Sequence, residues 1–146
     1  MPETPVSLPD LADILRGPLL RVSRRLRQEG QKAGLSTQDA LILGHIRKHP
    51  GVGVSELADA DQISRPTMSA HVKRLEAAGW LARSDHAEDG RRSGLAVTAA
   101  GGRKLDAVRR LRNDWLSARL ALLTDVERAQ LAAAAAPLLR LVSVDA

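Results

Sequence analysis

Apolar residues near the start of the chain recur every three or four positions. This spacing predicts an amphipathic helix that ends near Gly30. The repeating residues are Leu11, Leu15, Leu19, Val22 and Leu26. Pro18 interrupts the pattern and would remove one backbone hydrogen bond of the helix. We therefore expect either a kink at Pro18 or a helix that starts at Gly17-Pro18.

Three further helical segments follow before residue 80. Ser36 is the predicted N-cap of the second helix, which residues 50–53 (PGVG) end. A short third helix is predicted from about Ser55 to Ala60. The fourth opens at Ser64 and runs to about Ala78, with Gly79 in the position that favours a left-handed helix terminus.

The rest of the chain predicts a hairpin and two more helices. Residues 80–84 and 95–98 have the character of short strands joined by a charged loop. A long helix is expected over residues 99–122, and the Thr124 to Glu127 capping-box pattern opens a last one. We see no repeat and no second domain. The predicted fold is mainly α (α+β), in the order α-α-α-α-β-β-α-α, a winged helix-turn-helix.

The fourth helix carries the first functional signal. Met68, Val72 and Leu75 fall on one side and predict a core face, whereas the opposite side is small and polar near its start and then basic. Such a face suits a DNA major groove, where small residues allow close approach and basic groups reach phosphates. The alternative is an ordinary solvent-facing helix. The candidate DNA contacts on this helix are Ser64, Arg65, Pro66, Thr67, Ser69, Ala70, His71, Lys73 and Arg74.

The hairpin loop favours the DNA interpretation. Its residues 85–92 (DHAEDGRR) are too charged to be buried. Asp89 and Arg91 are two positions apart and would share a face of an extended hairpin, so the carboxylate could hold the guanidinium extended. A pre-oriented arginine suits a narrow minor groove. Asp89, Arg91 and Arg92 are therefore candidate DNA contacts, with a surface loop and a weak ion pair as the alternative.

Composition narrows the class of protein. The 146 residues carry a formal net charge of +5, and the surplus is local: between Ser64 and Lys104 there are eight basic residues and four acids. There is no cysteine, which excludes disulfides and thiolate metal sites, and the two aromatic residues, both tryptophan, disfavour base-stacking modules. No apolar run reaches the roughly 20 residues of a membrane span, and the N-terminal segment lacks secretory-signal features. We therefore expect no membrane partner and a cytoplasmic location.

Together these segments make the chain resemble the MarR (multiple antibiotic resistance regulator) family of winged helix-turn-helix transcription factors. The resemblance covers about residues 10–142, and its matching segments are residues 54–58 (VSELA), 63–69 (ISRPTMS), 75–81 (LEAAGWL), 89–92 (DGRR) and 95–101 (LAVTAAG). It implies that the helix opening near Ser64 reads the major groove and that Arg91 enters the minor groove. It also implies a dimer with interlocked terminal helices. Pro18 and Pro137 depart from the family pattern, and a bend at either proline would change the spacing of the half-sites.

The residues themselves also favour a dimer. The terminal helices carry more leucine, valine and alanine than one small winged helix can cover, and a two-fold symmetric bundle would bury them. The alternative is a monomer with these helices folded onto its own core. We predict one MarR-like domain over 1–146, with a DNA-binding lobe at 36–98 and dimerisation helices at 10–32 and 99–143.

Two other kinds of site have weaker signals. His45 and His49 are four residues apart on the second helix and could share a metal ion, but the sequence places no acid near them, so two ordinary histidines are favoured. Trp80 is expected in the core, and so is Trp115, which is also a candidate for lining a ligand pocket. No nucleophile–base pair or phosphate-binding glycine loop indicates an enzyme or a cofactor.

The sequence therefore predicts a homodimeric regulator, a repressor in the favoured version, that binds a pseudo-palindromic double-stranded operator. Resemblance adds a small-molecule effector, often aromatic or anionic, between the dimer arms and the DNA lobe. Two alternatives stay open. One is a winged-helix module for protein contact without specific DNA readout, and the other is a metal-responsive regulator that uses His45 and His49.

Overall fold

The fold was derived from a computed structural model that describes residues 5–84 and 94–143. These residues form six helices and one two-stranded antiparallel sheet. In chain order the elements are α1 (Leu8–Gln31), α2 (Thr37–Lys48), α3 (Val54–Ala60), α4 (Arg65–Ala77), β1 (Leu81–Ser84), β2 (Gly94–Val97), α5 (Ala99–Leu120) and α6 (Asp125–Ser143). The predicted order of elements is confirmed.

α1 differs from the prediction at its start. The helix begins at Leu8, and the Ser7 side chain caps it by accepting a hydrogen bond from the Asp10 amide at 3.3 Å. Pro18 lies within the 24-residue helix, so the predicted start at Gly17-Pro18 is wrong. A proline removes one hydrogen bond, and the many other bonds of a capped helix this long allow it to continue past that position.

The other helix ends follow the local signals in the sequence. Ser36 caps α2 by accepting from the Asp39 amide at 3.1 Å. Gly79, with φ +82°, lies just past the end of α4 in the left-handed conformation that glycine adopts without strain. Thr124 and Glu127 form the predicted reciprocal capping box before α6, at 2.8 and 3.2 Å.

The core lies among α2, α3, α4 and the base of the hairpin. Its largest fully buried side chains come from all of these elements. They are Ile42, Leu43, Ile46, Leu57, Met68, Val72, Leu75 and Leu95. Because Met68, Val72 and Leu75 are completely buried, the predicted core face of α4 is confirmed.

The sheet is extended by a segment that the sequence did not indicate. β1 and β2 pair in the register Leu81↔Val97 to Ser84↔Gly94. Val52, before α3, adds an isolated antiparallel bridge to Leu95. A Cβ on Gly94 would lie 2.6 Å from the Gly51 Cα, so the two backbones can approach this closely only because residue 94 is glycine.

The chain forms two compact units, residues 1–112 and 113–146. The predicted DNA-binding lobe, 36–98, lies within the first unit. The second unit contains the end of α5 and all of α6, and no residue of α6 is buried. Among the described residues, no helix is long and apolar enough to cross a membrane.

Candidate nucleic-acid interface

The start of α4 is fixed by Ser64. Its hydroxyl oxygen accepts a hydrogen bond from the Thr67 amide at 3.3 Å and donates to the Thr67 hydroxyl oxygen at 2.7 Å. This cap satisfies one of the free amides at the helix N-terminus and holds the Thr67 side chain against the first turn. Ser64, Arg65 and Thr67 are all exposed. The polar end of the helix is therefore available to a partner.

The outward side of α4 has the predicted character. Pro66, Ala70 and Lys73 are exposed, and they lie opposite the buried core residues of the helix. Ser69 and His71 are half-buried at the flanks. The exposed side is therefore small near its N-terminus and basic further along, as a helix that enters a groove requires.

Arg74 makes a contact that the sequence did not reveal. Its Nη1 and Nη2 donate to Oδ2 and Oδ1 of Asp39, both at 2.7 Å, in a two-pronged ion pair between α4 and α2. The Asp39 side chain is 7% exposed and that of Arg74 is 53% exposed. The hydrogen bonds from Arg74 are the main cause that lowers the pKa of Asp39, against the opposing effect of burial. Sequence analysis placed Arg74 among the DNA contacts, whereas here its guanidinium holds two helices together.

The same guanidinium also reaches His71. Nη2 of Arg74 lies 2.9 Å from Nδ1 of His71, one turn earlier on α4. Asp39, Arg74 and His71 thus form a polar chain from the start of α2 to the outward side of α4. The two ends of this chain are 32 residues apart in sequence, which is why no local pattern could indicate it.

The turn between α3 and α4 fixes the angle at which α4 leaves the core. Gln62 has φ 54°, in the left-handed region. The Ile63 amide closes the turn by donating to the Ala58 carbonyl at 3.0 Å. Since Leu57 and Ala58 are buried, α3 anchors the turn in the core. This is a helix-turn-helix whose second helix presents its outer side.

The base of the hairpin is tied to the end of α4. Arg83 on β1 donates to Glu76 on α4 at 2.9 Å, and the Thr98 hydroxyl donates to the Gly79 carbonyl at 2.6 Å. The described strand ends are therefore tied to the same frame as α4. The predicted contacts Asp89, Arg91 and Arg92 lie outside the described residues.

The histidine pair on α2 has an acidic neighbour that the sequence did not predict. Nδ1 of His45 lies 3.7 Å from Oδ1 of Asp61, and the rings of His45 and His49 meet edge-on with centroids 5.1 Å apart. Asp61 follows α3, so only folding brings it beside α2. Within residues 5–84 and 94–143, no three His, Cys, Asp or Glu residues are grouped so that they could hold a metal ion.

A cleft of about 420 Å³ lies between α1 and α2, and Arg112 of α5 also lines it. Its lining combines apolar, hydroxyl and basic side chains. They are Leu19, Val22, Leu26, Leu41, Ser23, Thr37, Arg27 and Arg112. Nε of Arg112 is buried and has no hydrogen-bond partner among the described residues. Two guanidinium side chains beside apolar walls suit an anionic, partly apolar molecule.

The two tryptophans lie in different units. Trp80 packs half-buried against the core, as predicted, with the Lys104 ammonium 5.5 Å from its ring centroid. Trp115 lies in the second unit, where the Arg119 guanidinium carbon is 5.9 Å from the ring centroid. Trp115 does not line the cleft, so its role as a ligand contact stays a prediction.

Comparison with known proteins gives the same class as the geometry. A helix-turn-helix transcriptional regulator of Mycobacterium tuberculosis is 31% identical over 132 residues, which are 90% of this chain and 92% of the relative. The profile of the MarR family matches residues 33–92. These similarities define a helix-turn-helix transcriptional regulator. The chain belongs to the MarR family.

Solved structures agree on the fold. A transcriptional regulator of Pseudomonas aeruginosa is 31% identical, with a TM-score of 0.81 over 96% of this chain and 100% of that one. A variant of Staphylococcus aureus MepR bound to an oligodeoxyribonucleotide is 20% identical, with a TM-score of 0.70 over 90% of this chain and 97% of that one. Among curated relatives, the repressor MdtR of Bacillus subtilis is 25% identical over 86% of this chain and 81% of the relative.

Proposed function

We propose that this protein is a homodimeric, ligand-responsive repressor that binds a pseudo-palindromic double-stranded DNA operator. The observation that carries the proposal is the outward side of α4, which is exposed, small and then basic, on a helix whose other side is completely buried. A helix held in this way can enter a major groove without disturbing the core. The structure of MepR bound to an oligodeoxyribonucleotide supports DNA as the partner. The similarity to MdtR, a transcriptional repressor, supports repression.

Each part of the interface has a role in this proposal. Arg65 and Thr67, at the start of α4, reach base edges, and Lys73 reaches a phosphate. Pro66 and Ala70 allow close approach, and Arg91 enters the minor groove. The remaining contacts are Ser64, Ser69, His71, Arg74, Asp89 and Arg92.

A second copy of the chain would cover apolar surface that a single copy leaves exposed. On α1, Leu8, Ile14 and Leu20 are 81%, 59% and 64% exposed. On α6, Leu139 and Val142 are 66% and 80% exposed. Apolar faces on the terminal helices are what an isologous dimer buries. Two copies of α4 about 34 Å apart would then read two half-sites.

The cleft with Arg27 and Arg112 supports ligand response. An anionic effector that binds between α1, α2 and α5 would contact both a predicted dimerisation helix and the DNA-binding lobe. If the bound and free forms differ in the distance between the two α4 helices, the effector lowers DNA affinity by its differential binding to those forms.

DNA binding can be tested by fluorescence anisotropy with the duplex upstream of the protein's own gene, over a series of salt concentrations. We expect Lys73→Ala to weaken binding to all duplexes and to reduce the salt slope by about one. Thr67→Ala should instead reduce preference for the operator over a scrambled duplex. Arg140→Ala removes an exposed charge from α6 and is the matched control. A wild type that binds no duplex would contradict DNA binding and favour a protein-contact module. Equal salt slopes for wild type, Lys73→Ala and Arg91→Ala would contradict the phosphate contact of Lys73 and the minor-groove contact of Arg91.

A further inference from the structure

His71 is a candidate DNA contact whose ring tautomer the structure restricts. Its Nδ1 lies 2.9 Å from Nη2 of Arg74. An arginine guanidinium carries five N–H donors and no acceptor, so Nδ1 must accept this bond. A neutral imidazole that accepts at Nδ1 carries its hydrogen on Nε2. The Arg74 contact therefore selects one of the two neutral tautomers of His71.

Asp39 in turn fixes Arg74. Without a carboxylate, a long arginine side chain on a helix surface would sample several rotamers and meet His71 only part of the time. The two 2.7 Å bonds to the buried Asp39 hold the guanidinium plane in a single orientation. That orientation directs an Nη2 hydrogen at the imidazole. The carboxylate on α2 thus acts on the imidazole on α4 through one intervening side chain.

The position of His71 on α4 indicates what the selected tautomer can bind. The residue lies on α4 between the exposed Ala70 and Lys73 and is itself half-buried. With Nδ1 occupied by Arg74, the remaining polar atom of the ring is Nε2. An N–H group there complements the acceptor oxygens and nitrogens of DNA, which occur both on phosphates and on base edges in the major groove.

We propose that Asp39 and Arg74 are positioning residues that hold His71 in its Nε2–H tautomer, so that His71 donates a hydrogen bond to the operator. This inference rests on the proposed DNA-binding function. It changes the role of Arg74, which the sequence placed among the direct contacts. Asp39 and His71 use one Nη1 hydrogen and both Nη2 hydrogens of Arg74. In this proposal, Arg74 acts on DNA by orienting the imidazole.

The tautomer can be measured in the free protein, without DNA. A long-range ¹H–¹⁵N spectrum recorded at alkaline pH distinguishes a hydrogen on Nε2 from a hydrogen on Nδ1. We expect His71 to be almost entirely in the Nε2–H form in the wild type. Arg74→Met should shift it toward a mixture of both forms, and Asp39→Asn should shift it in the same direction but less. His49, at the other end of α2, is the internal reference and should not change. A mixed wild-type spectrum, or one unchanged by Arg74→Met, would overturn the proposal.

DNA affinity is tested with two amides that imitate opposite halves of the ring. His71→Asn places an acceptor near Arg74 but removes the outward donor, and His71→Gln extends an N–H group toward the position of Nε2. We expect His71→Asn to weaken operator binding about fivefold, the worth of one ordinary hydrogen bond, and His71→Gln to stay within about twofold. Wild-type affinity for His71→Asn would overturn the role of the donor.

The same titrations locate the acceptor. A loss that is equal on operator and scrambled duplexes indicates a phosphate, and a loss confined to the operator indicates a base edge. Circular dichroism checks that each variant is folded. If Arg74→Met does not fold, Asp39→Asn tests the positioning step in its place. If the wild type binds no duplex at all, the proposed function fails, while the tautomer result stands by itself.

Discussion

Asp39 is a buried carboxylate whose charged form is stabilised mainly by Arg74. It lies in the first turn of α2 and is 5% exposed, and both of its oxygens accept hydrogen bonds from Arg74. A buried charge with a well-placed partner is tolerated, but the same charge alone would be expensive. The ion pair is therefore a clamp between α2 and α4 and lies at the point where the candidate DNA-binding side begins.

Asp39→Asn should reduce the free energy of unfolding by about 1–2 kcal/mol at pH 7, less than for a fully buried pair because Arg74 is half exposed. Arg74 lowers the pKa of Asp39 from its ordinary value of 3.8 in the folded state. The stabilisation is therefore complete well above the ordinary pKa of 3.8 and is lost as the pH falls through the lowered folded-state pKa. Urea titrations of both proteins from pH 7 to pH 3 should show the difference shrinking only at the acid end.

The control for this effect is an exposed ion pair. Asp106 pairs with Arg47 at 3.0 Å, and both side chains are about half exposed. Asp106→Asn should change stability by no more than about 0.5 kcal/mol. If Asp39→Asn is as mild as this control, the clamp contributes little to the fold.

Two adjacent glycines in α5 should respond oppositely to alanine. A Cβ on Gly101 would lie 2.3 Å from the Trp80 carbonyl oxygen, which is held by a hydrogen bond from the Thr98 amide and cannot easily move. Gly101→Ala should therefore destabilise the protein by about 1–3 kcal/mol. A Cβ on Gly102 meets nothing within 4 Å, so Gly102→Ala should stabilise α5 by up to about 1 kcal/mol. Thermal unfolding of the two variants tests this prediction. Shifts of the midpoint temperature in the same direction for both would contradict the close approach of Gly101 to the Trp80 carbonyl oxygen.

At the scale of elements, signals that act within a few residues could be predicted from the sequence. Ser36, Ser64 and Gly79 mark helix ends by hydrogen bonds or backbone angles that involve their immediate neighbours, and each prediction is confirmed. The core face of α4 follows from its periodicity in the same way. Local chemistry of this kind is independent of how the rest of the chain packs.

Contacts between distant segments could not be predicted. Asp39 meets Arg74 across 35 residues, and Val52, which lies in no predicted strand, pairs with Leu95. Asp61 comes beside His45 only after α3 has folded against α2. The order of elements thus followed from the sequence, whereas the polar clamp behind the candidate DNA-binding side required the fold.

The N-cap of α4 allows stability and DNA affinity to be separated. Ser64→Ala removes the cap and should cost about 1 kcal/mol of folding stability. Ser64→Asp keeps a capping oxygen, so its stability should match the wild type, but it adds a negative charge where the proposal places DNA. We therefore expect Ser64→Asp to weaken DNA binding more than Ser64→Ala does. Chemical denaturation and anisotropy on the same samples test this, and undiminished DNA affinity for Ser64→Asp would contradict the orientation of α4 toward DNA.

At the scale of the whole molecule, the distribution of apolar surface is the dominant feature. The core side chains of the first unit are buried, yet α1 exposes a row of large apolar side chains along most of its length. A surface of this kind on a monomer would favour aggregation unless a partner covers it. A second copy is the simplest partner, because two-fold symmetry lets one face cover itself.

Ile14→Glu tests the dimer because Ile14 is 59% exposed in the single chain and contributes nothing to its closed core. We expect sedimentation velocity to show a dimer for the wild type and a monomer for Ile14→Glu, with the secondary structure retained. Gln28→Glu adds the same charge to an exposed polar position of α1 and should remain dimeric.

The proposed dimer also makes a geometric prediction about DNA. Two α4 helices joined through the terminal helices can bind two half-sites only at a fixed spacing of about one helical turn. Inserting five base pairs between the half-sites turns them by about half a turn, so the wild type should lose most of its affinity. A monomeric Ile14→Glu protein should bind the original and the lengthened operator equally and more weakly. Wild-type binding that is indifferent to the insertion would mean that the two DNA-binding lobes act independently, and the proposed palindromic readout would be wrong.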